Sequence, residues 1–141
     1  MSFLLDTNVI SEWIKPEPNA GVVAWLAEID EDRVLISVIS LAELRRGVDR
    51  MDQGARRKRL DAWLRHDLPV RFEGRILGID TAVAEAWGAV VARQEARGRP
   101  IAPMDAFIAA TAEVYGLTLV TRNVADFETS VEHVFDPWTS R

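Results

Sequence analysis

The chain contains no cysteine, which removes thiol nucleophiles, iron–sulfur clusters and every zinc site built with thiolates. Only two histidines occur, His66 and His133, so a three-histidine metal centre is excluded. A metal in this protein has to be held mainly by oxygen, and hard oxygen donors favour Mg²⁺ or Mn²⁺ over zinc. Long apolar runs are also missing. Phe3-Leu4-Leu5 is cut short by Asp6, well below the length of a signal-peptide core, and nothing approaches a membrane span. The expectation is a cytoplasmic protein with no membrane partner. Neither G-x-x-x-x-G-K-[ST] nor G-x-G-x-x-G is present, so nucleotide binding through those phosphate loops has no support.

What is present fits one domain over 1–141: 141 residues, 48% hydrophobic and 28% charged, enough chain to bury a core without crosslinks. Continuous apolar runs at 3–5, 34–37, 76–79, 117–120 and, more weakly, 134–135 predict strands covered on both faces. Apolar spacings of three and four predict helices over 19–29, 40–51, 55–66, 81–97 and 103–115, the last stopped by Gly116. Strands alternating with helices predict a mainly parallel sheet of four to five strands between two helical layers. Lys15-Pro16-Glu17-Pro18 reads as a turn.

The net charge of −5 is unevenly spread. Between positions 45 and 65, Arg45, Arg46, Arg50, Arg56, Arg57, Lys58, Arg59 and Arg65 face only Asp49, Asp52 and Asp61. A basic stretch on an acidic body can grip a polyanion locally, or it can be a solvated helix face.

Several acidic or amide residues fall just beyond predicted strands or in first turns of helices, where open α/β sheets bind ligands. They are Asp6 after the first strand, Glu43 after the second, Asp105 behind Pro103, and Asn123 with Asp126 after the fourth. Each has a structural alternative. Asp6 can cap a helix, Asp105 can complement a helix dipole, Asn123 and Asp126 can be turn residues, and Ser40-x-x-Glu43 has the form of a capping box. Together they point elsewhere, because carboxylates gathered at one end of a sheet repel one another unless a divalent cation neutralises them. A paired-carboxylate glycosidase would have no use for a basic track.

At these residues the sequence resembles a known family. Leu4-Leu5-Asp6-Thr7-Asn8-Val9-Ile10-Ser11-Glu12, the Ser40-Leu41-Ala42-Glu43-Leu44 segment with Gly47, the Asp105-Ala106-Phe107-Ile108-Ala109-Ala110-Thr111-Ala112 helix and Thr121-Arg122-Asn123 look like the PIN-domain ribonucleases. More narrowly they resemble the VapC toxins of toxin–antitoxin pairs, including the FitB-like branch. The resemblance implies a three-layer α/β/α domain that cleaves RNA with Mg²⁺ or Mn²⁺. It also implies a homodimer that assembles with a DNA-binding, VapB-type antitoxin. Asp6, Glu43 and Asp105 match the family's three principal acidic positions, as both metal-holding and catalytic residues. Asn123 stands where many relatives have Asp, and Asp126 can substitute for it, which leaves one-metal and two-metal sites open. Thr7, Asn8 and Thr121 would orient the carboxylates, and Arg45, Arg46, Arg56, Arg57, Arg59 and Arg122 would touch RNA or the antitoxin.

Two other readings compete. One is a catalytically silent PIN-like module that binds RNA or protein, kept alive by Asn123. The other is a phosphohydrolase of the haloacid-dehalogenase or receiver type, weakened because Asp6-Thr7-Asn8 lacks the second acid of a D-x-D motif and no lysine follows Arg59. His66 and His133 read as surface residues, and the five tryptophans as core or dimer contacts, with Trp13 and Trp138 available to stack on bases.

Overall fold

Strand β1 (Phe3–Leu5) is buried at every position, and its side chains alternate between two cores. Phe3 and Leu5 join one hydrophobic cluster and Leu4 the other. Strand β2 (Val34–Ser37) repeats the pattern, with Val34 and Ile36 on the first side and Leu35 on the second. This is why the strands read as unbroken apolar runs: each face of the sheet is roofed by helices. The computed structural model describes residues 1–138. Positions 139–141, the end of the domain expected over 1–141, lie outside the described residues.

The remaining strands are β3 (Ile76–Leu77), β4 (Thr118–Val120) and β5 (Val134–Phe135), and all five pair in parallel in the order β3-β2-β1-β4-β5. Leu4 lies opposite Leu35 on one side and Leu119 on the other. On the first face pack α1 (Thr7–Trp13), α2 (Ala20–Glu28), α3 (Val38–Asp49), α4 (Ala55–Ala62) and α5 (Leu68–Arg71). They contribute Val9, Ile10, Val22, Leu44, Val48 and Leu68 to the core there. The second face is covered by α6 (Thr81–Ala96), α7 (Pro103–Tyr115) and α8 (Val124–Phe127), through Val90, Ile108, Ala109, Ala112 and Phe127. Helix α7 does end at Gly116, whose φ of 63° and ψ of 40° place it in the left-handed region that glycine enters without strain.

Two helices differ from the sequence expectation. The helix expected over 55–66 continues through a π-helical turn, Trp63–Asp67, into α5. Pro69 lies just beyond that turn, where its ring would crowd the carbonyl four residues back, and widening to π geometry relieves such crowding. The helix expected over 40–51 starts at Val38, capped by Ser37, whose hydroxyl accepts the Ile39 N–H at 3.0 Å. Among the described residues no helix is long and apolar enough to cross a membrane.

Candidate active site

The sheet order reverses between β1 and β4, and the crevice beyond the carboxyl ends of those strands is where open parallel sheets take ligands. Asp6, the first residue past β1, is buried there and held on both oxygens. Its Oδ1 accepts the Thr7 N–H at 2.9 Å, while Oδ2 accepts the Thr121 hydroxyl at 2.8 Å and the Asn8 amide at 3.3 Å. Thr121, just past β4, also accepts from Asn8 Nδ2 at 3.2 Å and from the Asn123 N–H at 3.0 Å. Asn8 Oδ1 receives the Arg122 N–H at 3.2 Å. Both sides of Asn8 therefore tie the end of β4 to the end of β1, and Thr121, with its acceptor sites filled, aims its single proton at Asp6.

The early start of α3 changes the reading of Glu43. With Ser37 as the cap, Glu43 is the sixth helical residue and lies in the second turn, not the first. The Ser40-x-x-Glu43 capping box does not form. Instead Thr7 Oγ1 lies 2.6 Å from Glu43 Oε1 and 3.0 Å from Ser40 Oγ, so its one proton goes to the carboxylate and the buried Ser40 hydroxyl supports it from behind.

Asp105 arrives from the other layer. Helix α7 leads into the parallel strand β4 and so starts at the sheet's carboxyl edge, with Asp105 in its first turn. Its carboxylate takes part in no hydrogen bond or ion pair among the described residues. Partial burial, followed by the negative charges of Asp6, Asp126 and Glu43, pushes it up to about 6. Asp6 is also raised, chiefly by burial, against the lowering effect of its Thr121 and Thr7 hydrogen bonds.

Asp6, Thr7, Asn8, Glu43, Asp105 and Asn123 line one cavity of about 380 Å³. Asp126, exposed on α8, lies close enough to repel Asp6 and Asp105 and shares with Asp105 a second cleft that contains Arg99. Among the described residues no three His, Cys, Asp or Glu close on one point as a compact metal-ligand set. The carboxylates line one open cavity instead, which fits Mg²⁺ or Mn²⁺, since Mg²⁺ takes one or two carboxylates directly and keeps several waters. The all-oxygen donor set and the unneutralised Asp105 agree with such an ion.

The basic residues divide. Arg122 lines the cavity, its guanidinium 5.5 Å from the centre of the Trp138 ring, and Arg46 lines an adjoining groove. Arg45 is bound to Asp49 and Asp61, and Arg57 donates to the Met51 carbonyl. Arg56 and Arg59 are exposed on α4 and line none of these cavities. Trp13 packs edge-on to Phe72 beneath Arg71 and is turned away from the crevice, whereas Trp138 is on the cavity wall. His66 and His133 are exposed.

Three residues at or beside the site have little local signature. The capping-box pattern hides Ser40. Lys15, hidden in a proline-flanked turn, reaches the cavity rim and pairs with the buried Glu12 at 2.8 Å; the Glu12–Lys15 spacing of three was the available signal. Arg99 follows Gly98 in a loop and carried no signal at all.

A parallel sheet with this crevice, and carboxylates delivered to it by β1, α3 and α7, matches the PIN domain over residues 3–128, and the chain belongs to that family. Within the family it is similar to toxin FitB of Neisseria gonorrhoeae, at 41% identity over 96% of this chain and 97% of that protein. It is also similar to the VapC ribonuclease Y4jK of Sinorhizobium fredii, at 34% identity over 96% of each. Among solved structures it superposes on a chain of FitAB bound to an IR36 DNA fragment with a TM-score of 0.92 at 37% identity, covering 99% of this chain and 97% of the other.

Proposed function

We propose that the protein is a Mg²⁺- or Mn²⁺-dependent endoribonuclease, the toxin of a toxin–antitoxin pair, which hydrolyses a phosphodiester of RNA at the Asp6–Glu43–Asp105 crevice. The observation that carries this reading is Asp105: a carboxylate brought beside two others, left without a partner among the described residues and pushed up to about 6. A structural aspartate in a helix's first turn gains nothing from that company, whereas a cation-binding one requires it. Similarity to FitB and to a VapC ribonuclease supports both the toxin and the nuclease parts. The likeness to a chain of FitAB bound to a DNA fragment supports a partner protein and a DNA-bound assembly; a DNA-binding antitoxin and a homodimeric toxin complete the proposal.

The bound cation would supply charge neutralisation at the phosphoryl group and a water of lowered pKa. The protein's own contribution is orientation. Thr121 and Asn8 fix the Asp6 carboxylate, Thr7 fixes Glu43, and Asp105 remains free to meet the ion, with Asn123 on the crevice wall and Asp126 in the neighbouring cleft that Asp105 also lines. Arg122, steadied over Trp138, stands at the rim where a phosphate enters.

Purified, antitoxin-free protein should cut RNA with added Mn²⁺ and stop in EDTA. Cleavage that survives thorough chelation would overturn the metal-dependent reading. RNA binding with no cleavage under any divalent ion would favour the silent module.

A further inference from the structure

Helix α3 carries a glycine for which the fold gives no reason. Gly47 is the tenth of the helix's twelve residues, exposed and without positive φ, and a Cβ built on it meets no atom within 4 Å. Alanine would fit the chain and strengthen the helix. What Gly47 does is leave one wall of a groove of about 600 Å³ flat, a groove lined by Ala42, Glu43, Arg46, Gly47, Arg50 and Met104. Glu43 lines both this groove and the carboxylate crevice, so the two are neighbours that share its side chain as a wall.

The groove's charges are as telling as its shape. Arg46 and Arg50 are exposed, and neither side chain enters an ion pair or hydrogen bond among the described residues, whereas neighbouring Arg45 is occupied by Asp49 and Asp61. Spaced by four, Arg46 in the last turn of α3 and Arg50 at its C-cap lie on one side of the helix, with Gly47 between them along the axis, over which they are roughly 6 Å apart. A polyanion that must approach three carboxylates on an acidic protein needs cations beside them to offset the repulsion.

We propose that this groove seats the sugar–phosphate backbone of single-stranded RNA on one side of the scissile bond. Arg46 and Arg50 hold neighbouring phosphates, and Gly47 lets the strand lie against the helix. The inference rests on the nuclease reading for its substrate, but its test reads binding apart from cleavage.

The test follows a labelled single-stranded RNA of mixed sequence by fluorescence anisotropy in EDTA, with melting temperature and light scattering on the same samples. Gly47→Ala should raise the melting temperature by about 3 °C, since it improves an exposed helix. Gly47→Leu should melt no lower than the parent yet bind RNA about tenfold more weakly, the scale of an obstructed contact. Arg46→Glu and Arg50→Glu should each flatten the dependence of log affinity on log salt by roughly 0.7. Unchanged affinity and salt slope in these variants would overturn the proposal. So would lost affinity that follows a change in oligomeric state, which would make the groove a contact between copies. If the parent binds RNA through the groove but cuts none with Mn²⁺, the nuclease reading fails and the groove stands. If the parent cuts and the variants bind as it does, the groove fails alone.

Discussion

The crevice beyond β1 and β4 and the hairpin of α3 with α4 are both rich in carboxylates, and they treat them in opposite ways. In the hairpin, Asp61 accepts Arg45 Nη2 at 2.6 Å and Arg65 Nε at 3.0 Å, and these bonds, Arg45's first, hold its carboxyl below the usual aspartate range. In the crevice, Asp105 has no partner among the described residues and is pushed up to about 6, and Asp6 rises with it despite its hydrogen bonds. The hairpin's carboxylates are spent on ion pairs, Asp61 holding α4 to Arg45 of α3 and Asp49 pairing with Arg45 within α3. Those of the crevice repel one another in the folded protein, and only a proton or a cation relieves them. A scaffold selected for stability alone would have paired them, so the contrast marks where function outweighs folding.

The largest effect that would sharpen this contrast is at Glu43. Replacing Glu43→Gln keeps an oxygen for the Thr7 hydroxyl but removes the charge that faces the crevice. Stability should stay within about 1 kcal/mol of the parent, the difference between hydrogen bonds to charged and to neutral acceptors. RNA cleavage should fall by about a hundredfold or more, as when a metal site loses a charge or its support. Gel-based cleavage and thermal melts on one preparation read both. Near-parental cleavage would remove Glu43 from the site.

Next in size is the stability of the metal-free protein as pH changes. A carboxyl raised in the folded state binds its proton more tightly than in the unfolded chain, so between about 4 and 6 the folded form carries the excess proton. In EDTA, the contribution of Asp105 should therefore stabilise the fold as pH falls from about 6 towards 4, and the Asp6 shift acts in the same direction. Asp105→Asn should melt at or above the parent at pH 7, lose much of this pH dependence and lose cleavage. A clear drop in its melting temperature at pH 7 would assign Asp105 to the helix dipole instead.

The sequence revealed the sheet better than the boundaries around the site. Strands with both faces buried leave unmistakable apolar runs, and Asp6, directly after one of them, could hardly be placed elsewhere. Helix starts are set by single hydrogen bonds, and Ser37 and Ser40 are equally good caps on paper. The choice of Ser37 is made by the length of β2, and it converts Glu43 from a capping residue into a crevice residue bonded to Thr7. Nor did the basic run from 45 to 65 disclose that it divides by partner. Arg45 turns to Asp49 and Asp61, which come from two different helices, and Arg46, one residue on, is left facing the groove. Such differences arise from tertiary neighbours that no local pattern encodes.

The smallest effect lies in the hairpin and has the opposite sign to the crevice. Asp61→Asn removes the charge shared by Arg45 and Arg65, an exposed network that water and salt screen, so its loss should lower the melting temperature only slightly. Because the Asp61 carboxyl is held low in the folded state, its stabilisation is present above the ordinary aspartate value and is lost as pH falls through the folded one. The gap between variant and parent should therefore be visible at pH 7, close below about pH 4, and shrink in 0.5 M salt by screening to a Debye length of about 4 Å. RNA cleavage should not change, since Asp61 lines neither the crevice nor its groove. If Asp61→Asn instead raised the melting temperature at pH 7, as Asp105→Asn is expected to, the two regions would share one electrostatic character. The repulsion in the crevice would then be a property of an acidic protein at large and no signature of a site.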